Sequence, residues 1–157
     1  GRVLKAQGSA RLQQQQWHSS LENLSKARTI FQQEAALDFE CTALTELIHL
    51  FIQLHDQANI IQHSESLWTL LHSNKLDGTN AEPIKAWWAC HCGFQATADE
   101  RAAIALHTAY QLFQTQLANI DDETWQSDFS NQIVEHRALR ATVHGRKPAW
   151  LTQLNSD

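Results

Sequence analysis

Apolar residues recur every three to four positions along almost the whole chain, and few residues interrupt this period. Such spacing places apolar side chains on one face of an α-helix. The 157 residues include only five glycines and two prolines, so long stretches are free of helix breakers. Valine, which favours strands, is scarce. The pattern therefore predicts an all-α fold.

Breaks in the period predict seven helices, of which the first six form three hairpins. The predicted helices cover residues 2–16, 20–33, 36–54, 57–72, 83–96, 98–119 and 122–144. Ser19 with Glu22, and Thr97 with Glu100, have the spacing of a capping box, in which two residues satisfy free backbone N–H groups at a helix start. We therefore expect helices to begin directly after Ser19 and Thr97.

Each predicted helix has an apolar face for a shared core. In the second hairpin this face comprises Leu44, Leu47, Ile48, Phe51, Ile60, Ile61, Leu67, Trp68 and Leu71. In the later helices it comprises Ala103, Leu106, Tyr110, Phe113, Leu117, Trp125, Phe129, Ile133 and Val134. The length suits one domain with its own core. We expect that domain over residues 1–145, closed by the helix 122–144 as a cap, with a tail over 146–157.

The three hairpins repeat at offsets of 40 and 43 residues when they are superposed on Trp17, Gln57 and Glu100. The marked positions of a tetratricopeptide repeat are matched in the first hairpin by Leu4, Gly8, Trp17, Ser20, Leu24 and Ala27. The chain therefore resembles a tetratricopeptide-repeat array. That resemblance implies a right-handed superhelical stack of helical hairpins.

The end of the chain carries a second resemblance. Phe129, Asn131, Glu135, His136 and Arg137 match the closing segment of the repeat region in bacterial regulatory ATPases, which include maltose-activator-like transcription factors. This resemblance implies a non-catalytic sensor or interaction region that binds a protein, a peptide or a small inducer. Met is absent, which fits a segment cut from a longer regulator.

The repeat's inner-wall positions, carried over from the resemblance, predict a concave binding groove. Those positions hold Arg2, Lys5, Ser9, Leu12, Gln13, Thr42, Thr45, His49, Ile52, Gln53, Lys85, Trp88, Cys92 and Gln95. In this register Trp87 lies in the core and Trp88 on the wall, where an exposed indole is typical of a binding hot spot. We expect an extended acidic or amphipathic peptide as the partner. The alternative is an inducer lodged near His49, Trp88 and Cys92.

No pattern in the sequence predicts catalysis, a cofactor or a metal site. Cys90 and Cys92 would point about 200° apart on a helix, so we interpret them as packing thiols rather than as ligands of one ion. The nine histidines do not form a His-Glu-x-x-His motif, and there is no P-loop or Gly-x-Ser-x-Gly motif. We therefore expect a protein that is not an enzyme.

Charge and cysteine content narrow the partners and the compartment. The net charge is −5 and no stretch has the length of a membrane span, so we expect neither nucleic-acid nor membrane binding. The one basic cluster contains His136, Arg137, Arg140, His144, Arg146 and Lys147, and suits the end of a helix. Three cysteines are a poor disulfide framework, which favours the cytoplasm.

Residues 29–74 contain six acidic residues and no lysine or arginine. We expect this band to repel duplex DNA, so a fluorescently labelled duplex should show no salt-sensitive binding to the chain at physiological ionic strength. Binding that weakens steeply with added salt would contradict the prediction.

Overall fold

The computed structural model describes the backbone of residues 2–146 and the side chains of residues 14–145. Over that range the chain forms helices and no strand, which confirms the all-α prediction. The helices are α1 (Arg2–Gln33), α2 (Leu37–Gln53), α3 (Gln57–His72), α4 (Pro83–Ala96), α5 (Arg101–Ala118), α6 (Glu123–Asn131) and α7 (Val134–Arg146). No helix in this range is long and apolar enough to cross a membrane.

The predicted second and third hairpins are confirmed to within three residues at each helix end. Pro83 opens α4, where its missing N–H is harmless. The predicted core face of α2 is also confirmed, because Leu44, Leu47, Ile48 and Phe51 are all buried. The tail predicted over 146–157 lies, apart from the backbone of its first residue, outside the described residues.

One turn geometry closes three of the helices. Ala35, His55 and Ala98 follow α1, α2 and α4 and each adopts a left-handed backbone with φ 54°. The N–H of the next residue then donates to a carbonyl five residues back, at 2.9 Å for Ala36 to Phe31, 3.1 Å for Asp56 to Phe51 and 2.9 Å for Asp99 to Phe94. This bond is typical of the Schellman motif, which satisfies the free carbonyls at a helix end. The chain therefore reverses in the same way each time.

The predicted break in the first hairpin is wrong, since α1 runs without interruption through residues 17–19. Ser19 lies exposed inside the helix and caps nothing. Glu22 instead pairs with Lys26 Nζ at 2.6 Å, one turn further along the same helix. No glycine or proline in this stretch forces a stop, and the capping pattern alone does not end a helix.

The predicted helix over 122–144 is also wrong, because the chain breaks into α6 and α7 at Gln132 and Ile133. The ring Nδ1 of His136 lies 2.7 Å from the Phe129 carbonyl oxygen and joins the two helices at the bend. Trp125 and Val134, which the pattern assigned to the core, are 70% and 63% exposed.

The second predicted capping box is wrong as well. The Thr97 hydroxyl donates to the Gly93 carbonyl at 3.1 Å, at the end of α4. The Asp99 carboxylate accepts from the backbone N–H of Arg101 at 2.9 Å, at the start of α5. Ala103, predicted to face the core, is exposed.

Arg101 ties the start of α5 to α3. Its guanidinium pairs with Glu65 and with Asp99 and lies 4.4 Å from the centre of the Phe94 ring. These hydrogen bonds lower the pKa of Asp99 to about 2 and also lower the pKa of Glu65. Cation–π contacts add to such pairs when the guanidinium is partly desolvated.

Helix α4 lies at the centre of the fold and packs against α2, α3, α5 and α7. Eight of its residues are buried, Trp87, Cys90 and Phe94 among them. Gly93 lets α3 and α2 approach, because a Cβ at this position would lie 2.1 Å from Ser64 Oγ on α3 and 3.2 Å from Ile48 Cγ2 on α2. Ser64 is fully buried and its hydroxyl has no partner among the described residues.

Gly93→Ala should lower the free energy of unfolding by about 1–3 kcal/mol, because the new methyl group overpacks the α3–α4 contact. Gly145→Ala is the matched control, since nothing lies within 4 Å of its Cβ position. That control should stabilise the chain by up to about 1 kcal/mol through helix propensity. Urea denaturation of both variants tests the pair.

Ser64→Ala in the Gly93→Ala background should recover part of the loss, because it removes the nearest clashing atom and an unsatisfied hydroxyl. Equal stability of Gly93→Ala and the original chain would contradict a close α3–α4 contact.

Candidate binding groove

The groove residues predicted on the first helix cannot be placed. The side chains of Arg2, Lys5, Ser9, Leu12 and Gln13 lie outside the described residues. The binding groove is therefore defined by side chains of α2, α4 and the helices that pack against them.

A small cavity of about 60 Å³ lies where α2, α4 and α7 meet. We call it the middle cavity; its lining residues are Cys41, Thr42, Thr45, Glu46, His49, Glu82, Lys85 and Glu135. It brings together four residues predicted from the sequence, Thr42, Thr45 and His49 on α2 and Lys85 on α4. The three α2 residues belong to the second predicted hairpin and Lys85 to the third. Thr45 and Lys85 are 40 residues apart along the chain.

The polar groups of the middle cavity are held by bonds within single helices. The Thr45 hydroxyl donates to the Cys41 carbonyl at 2.9 Å, one turn earlier on α2. Lys85 Nζ lies 3.1 Å from a carboxylate oxygen of Glu82, at the first turn of α4. Both Thr45 and Lys85 are thereby oriented before any ligand enters.

His49 stands between carboxylates from two helices. Burial lowers its pKa, and the charges of Glu46 on α2 and Glu135 on α7 oppose that shift. Burial dominates because an imidazolium loses its hydration when it is enclosed. His49 is therefore held mainly as the neutral imidazole, which donates one hydrogen bond and accepts another.

Two larger cavities adjoin the middle cavity and share its lining. The α1–α2 cavity, about 350 Å³, shares Glu46 and His49, and its lining residues are Ser20, Leu24, Glu46, His49, Leu50 and Gln53. The α4–α7 cavity, about 220 Å³, shares Glu82 and Lys85, and its lining residues are Ala81, Glu82, Pro83, Ile84, Lys85, Gln116, Phe129, Ile133 and His136. We refer to the three cavities together as the groove.

Three predicted residues on α4 do not line these cavities. Trp88, Cys92 and Gln95 follow Lys85 at intervals of three and four, so they continue its face of the helix. Trp88 is half-buried against the ring of His91, with a centroid distance of 5.2 Å. Ile52, predicted on α2, packs against the core instead of lining a cavity. Trp87 is 8% exposed and packs edge-on against Trp68, so its assignment to the core is confirmed.

The structure adds three carboxylates that the sequence analysis did not predict as groove residues. Glu46 on α2, Glu82 directly before α4 and Glu135 on α7 line the middle cavity. Glu46 could have been recognised from its place one turn before His49 on the predicted wall. Glu135 has no such signal, because it reaches the cavity only through the bend between α6 and α7.

The Cys90-His91-Cys92 segment packs within the protein. Cys90 is fully buried, and His91 Nδ1 lies 2.9 Å from the Ala102 carbonyl oxygen. Burial raises the pKa of Cys92 to about 12 and raises the pKa of Cys90 further. Among the described residues, no group of three His, Cys, Asp or Glu side chains is arranged to hold a metal ion.

Of the predicted basic cluster, the structure describes the side chains of His136, Arg137, Arg140 and His144. His136 is buried, and Arg140 donates to the Asn131 side chain at 3.0 Å, across the bend. Two of its six members therefore help to join α6 to α7, while the side chains of Arg146 and Lys147 lie outside the described residues.

Comparison with known proteins adds no relative: no family model, no curated protein and no solved structure matches this chain.

The pKa of His49 should lie below 6.5 in the folded chain, and Glu135→Gln should lower it further because that variant removes a charge favouring the imidazolium. Glu22→Gln, on the exposed face of α1, is the control and should leave it unchanged. An NMR pH titration of the imidazole protons measures both.

The same shift makes stability depend on pH. The unfolded chain binds the proton more readily than the folded chain, so His49 adds stability above pH 6.5 that is lost as pH falls toward its folded pKa. A rise in the His49 pKa on Glu135→Gln would contradict the placement of the Glu135 carboxylate near His49.

Proposed function

We propose that this chain is a non-catalytic, tetratricopeptide-repeat-like interaction domain of a larger bacterial regulatory protein, and that it binds a protein or peptide partner in the groove. One observation carries the proposal. Thr45, His49 and Lys85 were predicted as groove residues from repeat register alone, and they line a single cavity between neighbouring helices.

The packing order of the helices supports a repeat-like stack. Helix α4 packs against α2 as well as against α3, and α5 in turn packs against α4 and α7. In such stacks the first helices of successive hairpins lie side by side and present a shared concave surface. The groove runs over α2 and α4, the predicted first helices of the second and third hairpins, and over α7.

The protonation state of the cysteines supports a non-catalytic role. The thiolate is the nucleophilic form of cysteine, and a lowered pKa is what makes it available near neutral pH. Here burial raises the pKa of Cys41 to about 11 and that of Cys92 to about 12. Both therefore remain thiols.

Cavity size favours a peptide over the alternative, a small inducer. The inducer was expected between the second and third hairpins, where the middle cavity is about 60 Å³, whereas a ligand-enclosing pocket is usually about 300 Å³ or larger. The cavity of about 350 Å³ that His49 also lines lies between α1 and α2 instead. Trp88 and Cys92, the other walls of the site expected for the inducer, do not line the middle cavity. A chain of adjoining cavities suits an extended segment instead.

Selection from a random 12-residue phage library on the full chain tests this function. We expect enriched peptides, and hydrogen exchange with a synthetic copy should show protection on α2, α4 and α7. Failure to enrich any sequence, or protection confined to the outer face of α3 and α5, would contradict the proposal.

Trp88→Ala should weaken a selected peptide by about 2 kcal/mol, the range of a hot spot, with little loss of stability. The reason is that Trp88 extends the Lys85 face of α4 beyond the cavities. Trp87→Ala is the matched variant and should cost about 3–5 kcal/mol of folding, since it opens a core cavity. Thermal melts and fluorescence anisotropy separate the two effects; the reverse pattern would show that the α4 register is wrong.

A further inference from the structure

The groove changes character along its length. At one end the α1–α2 cavity has the apolar side chains of Leu24 and Leu50 in its wall. At the other end the α4–α7 cavity has Ile84, Phe129 and Ile133. Between them the middle cavity is charged. An occupant that fits all three parts is apolar at both ends and polar in the middle.

The charge in the middle is negative. The middle cavity has three carboxylates and a single ammonium group in its wall. Lys85 is already paired with Glu82, which leaves Glu46 and Glu135 as the carboxylates that form no ion pair with a described residue. Since His49 beside them is mainly neutral, it does not offset their charge.

This charge revises the partner expected from the sequence. An acidic peptide would bring further carboxylates toward Glu46 and Glu135, and like charges at an interface cost several kcal/mol. A lysine or arginine side chain in the same place would pair with both. The aliphatic part of either side chain can lie along the apolar surface next to the middle cavity while its charged group reaches the carboxylates.

The spacing of Glu46 and Leu50 on α2 indicates which position of a bound segment holds its basic residue. Leu50 and Glu46 are one helical turn apart, which is about 6 Å along the axis. Two residues of an extended chain span about the same distance. An apolar side chain seated on Leu50 therefore places a side chain two positions away beside Glu46.

We propose that the groove binds an extended segment of a protein partner in which a lysine or arginine lies between apolar residues, with its charged group between Glu46 and Glu135. One of the apolar residues lies two positions away and contacts Leu24 and Leu50. This inference rests on the proposed peptide-binding function and adds the chemical class of the partner.

The peptides enriched by the phage selection provide the probe. We expect a lysine or arginine two positions from an apolar residue in most of them. Against a synthetic copy, Glu46→Gln and Glu135→Gln should each weaken binding about fivefold, and added salt should weaken binding to the original chain more than to either variant.

Two controls keep the result specific. Glu22→Gln removes an equal charge from the exposed face of α1 and should change the affinity by less than twofold. Replacing the peptide's basic residue with glutamine, against the unaltered chain, should reproduce the loss without any change to the protein. This arm also holds if Glu135→Gln disturbs the start of α7.

The outcomes separate the two proposals. Enriched peptides that are acidic or neutral, or that bind Glu46→Gln and Glu135→Gln as tightly as the original chain, would overturn the basic segment and leave peptide binding intact. No enrichment, from a library that yields binders to a reference domain in parallel, would overturn both.

Discussion

The contact between α3 and α4 at Gly93 is the constraint on which the rest of the fold depends. Helix α4 is surrounded by four other helices, and it can reach the core only if one position carries no side chain. Protein interiors are packed as densely as organic crystals, so a methyl group here has no free space to enter. The middle cavity is lined by residues of α2, α4 and α7, and both α2 and α7 pack on the α4 that this contact holds in place. The position of the helices that line the groove is thus set by packing in the core.

The ends of the helices show what local sequence can and cannot specify. Helices α2 to α5 were predicted to within three residues because the apolar period breaks between them, and Pro83 marks the start of α4. The continuous α1 was missed because the Ser19–Glu22 pattern has a second solution, the pair of Glu22 with Lys26 inside a helix. The bend between α6 and α7 was missed because His136 stabilises it through a contact seven residues away. Propensity yields to such tertiary contacts.

The candidate site likewise contains residues that the sequence predicts and residues that only tertiary packing brings together. Thr45, His49 and Lys85 could be predicted because repeat register is a property of the sequence. Glu135 could not, because its position depends on a bend that no local pattern indicates. The consequence is large, since adding Glu46 and Glu135 to the groove reverses the sign of charge expected of a partner. In the proposed interaction, residues brought in by tertiary packing thus set the charge required of a partner, while repeat register sets which helices form the groove.

Helix α1 has a mechanical consequence of its own. Its 32 residues extend about 48 Å, nearly twice the length of α2, the helix against which it chiefly packs. It is joined to α2 through the left-handed turn at Ala35, so a change in the backbone of that turn would tilt α1 relative to α2. A tilt of only about 10° there displaces the far end by about 8 Å. Because the wall of the groove includes Ser20 and Leu24, a tilt of α1 that moved these two residues would move the opposite end of the helix about two to three times as far.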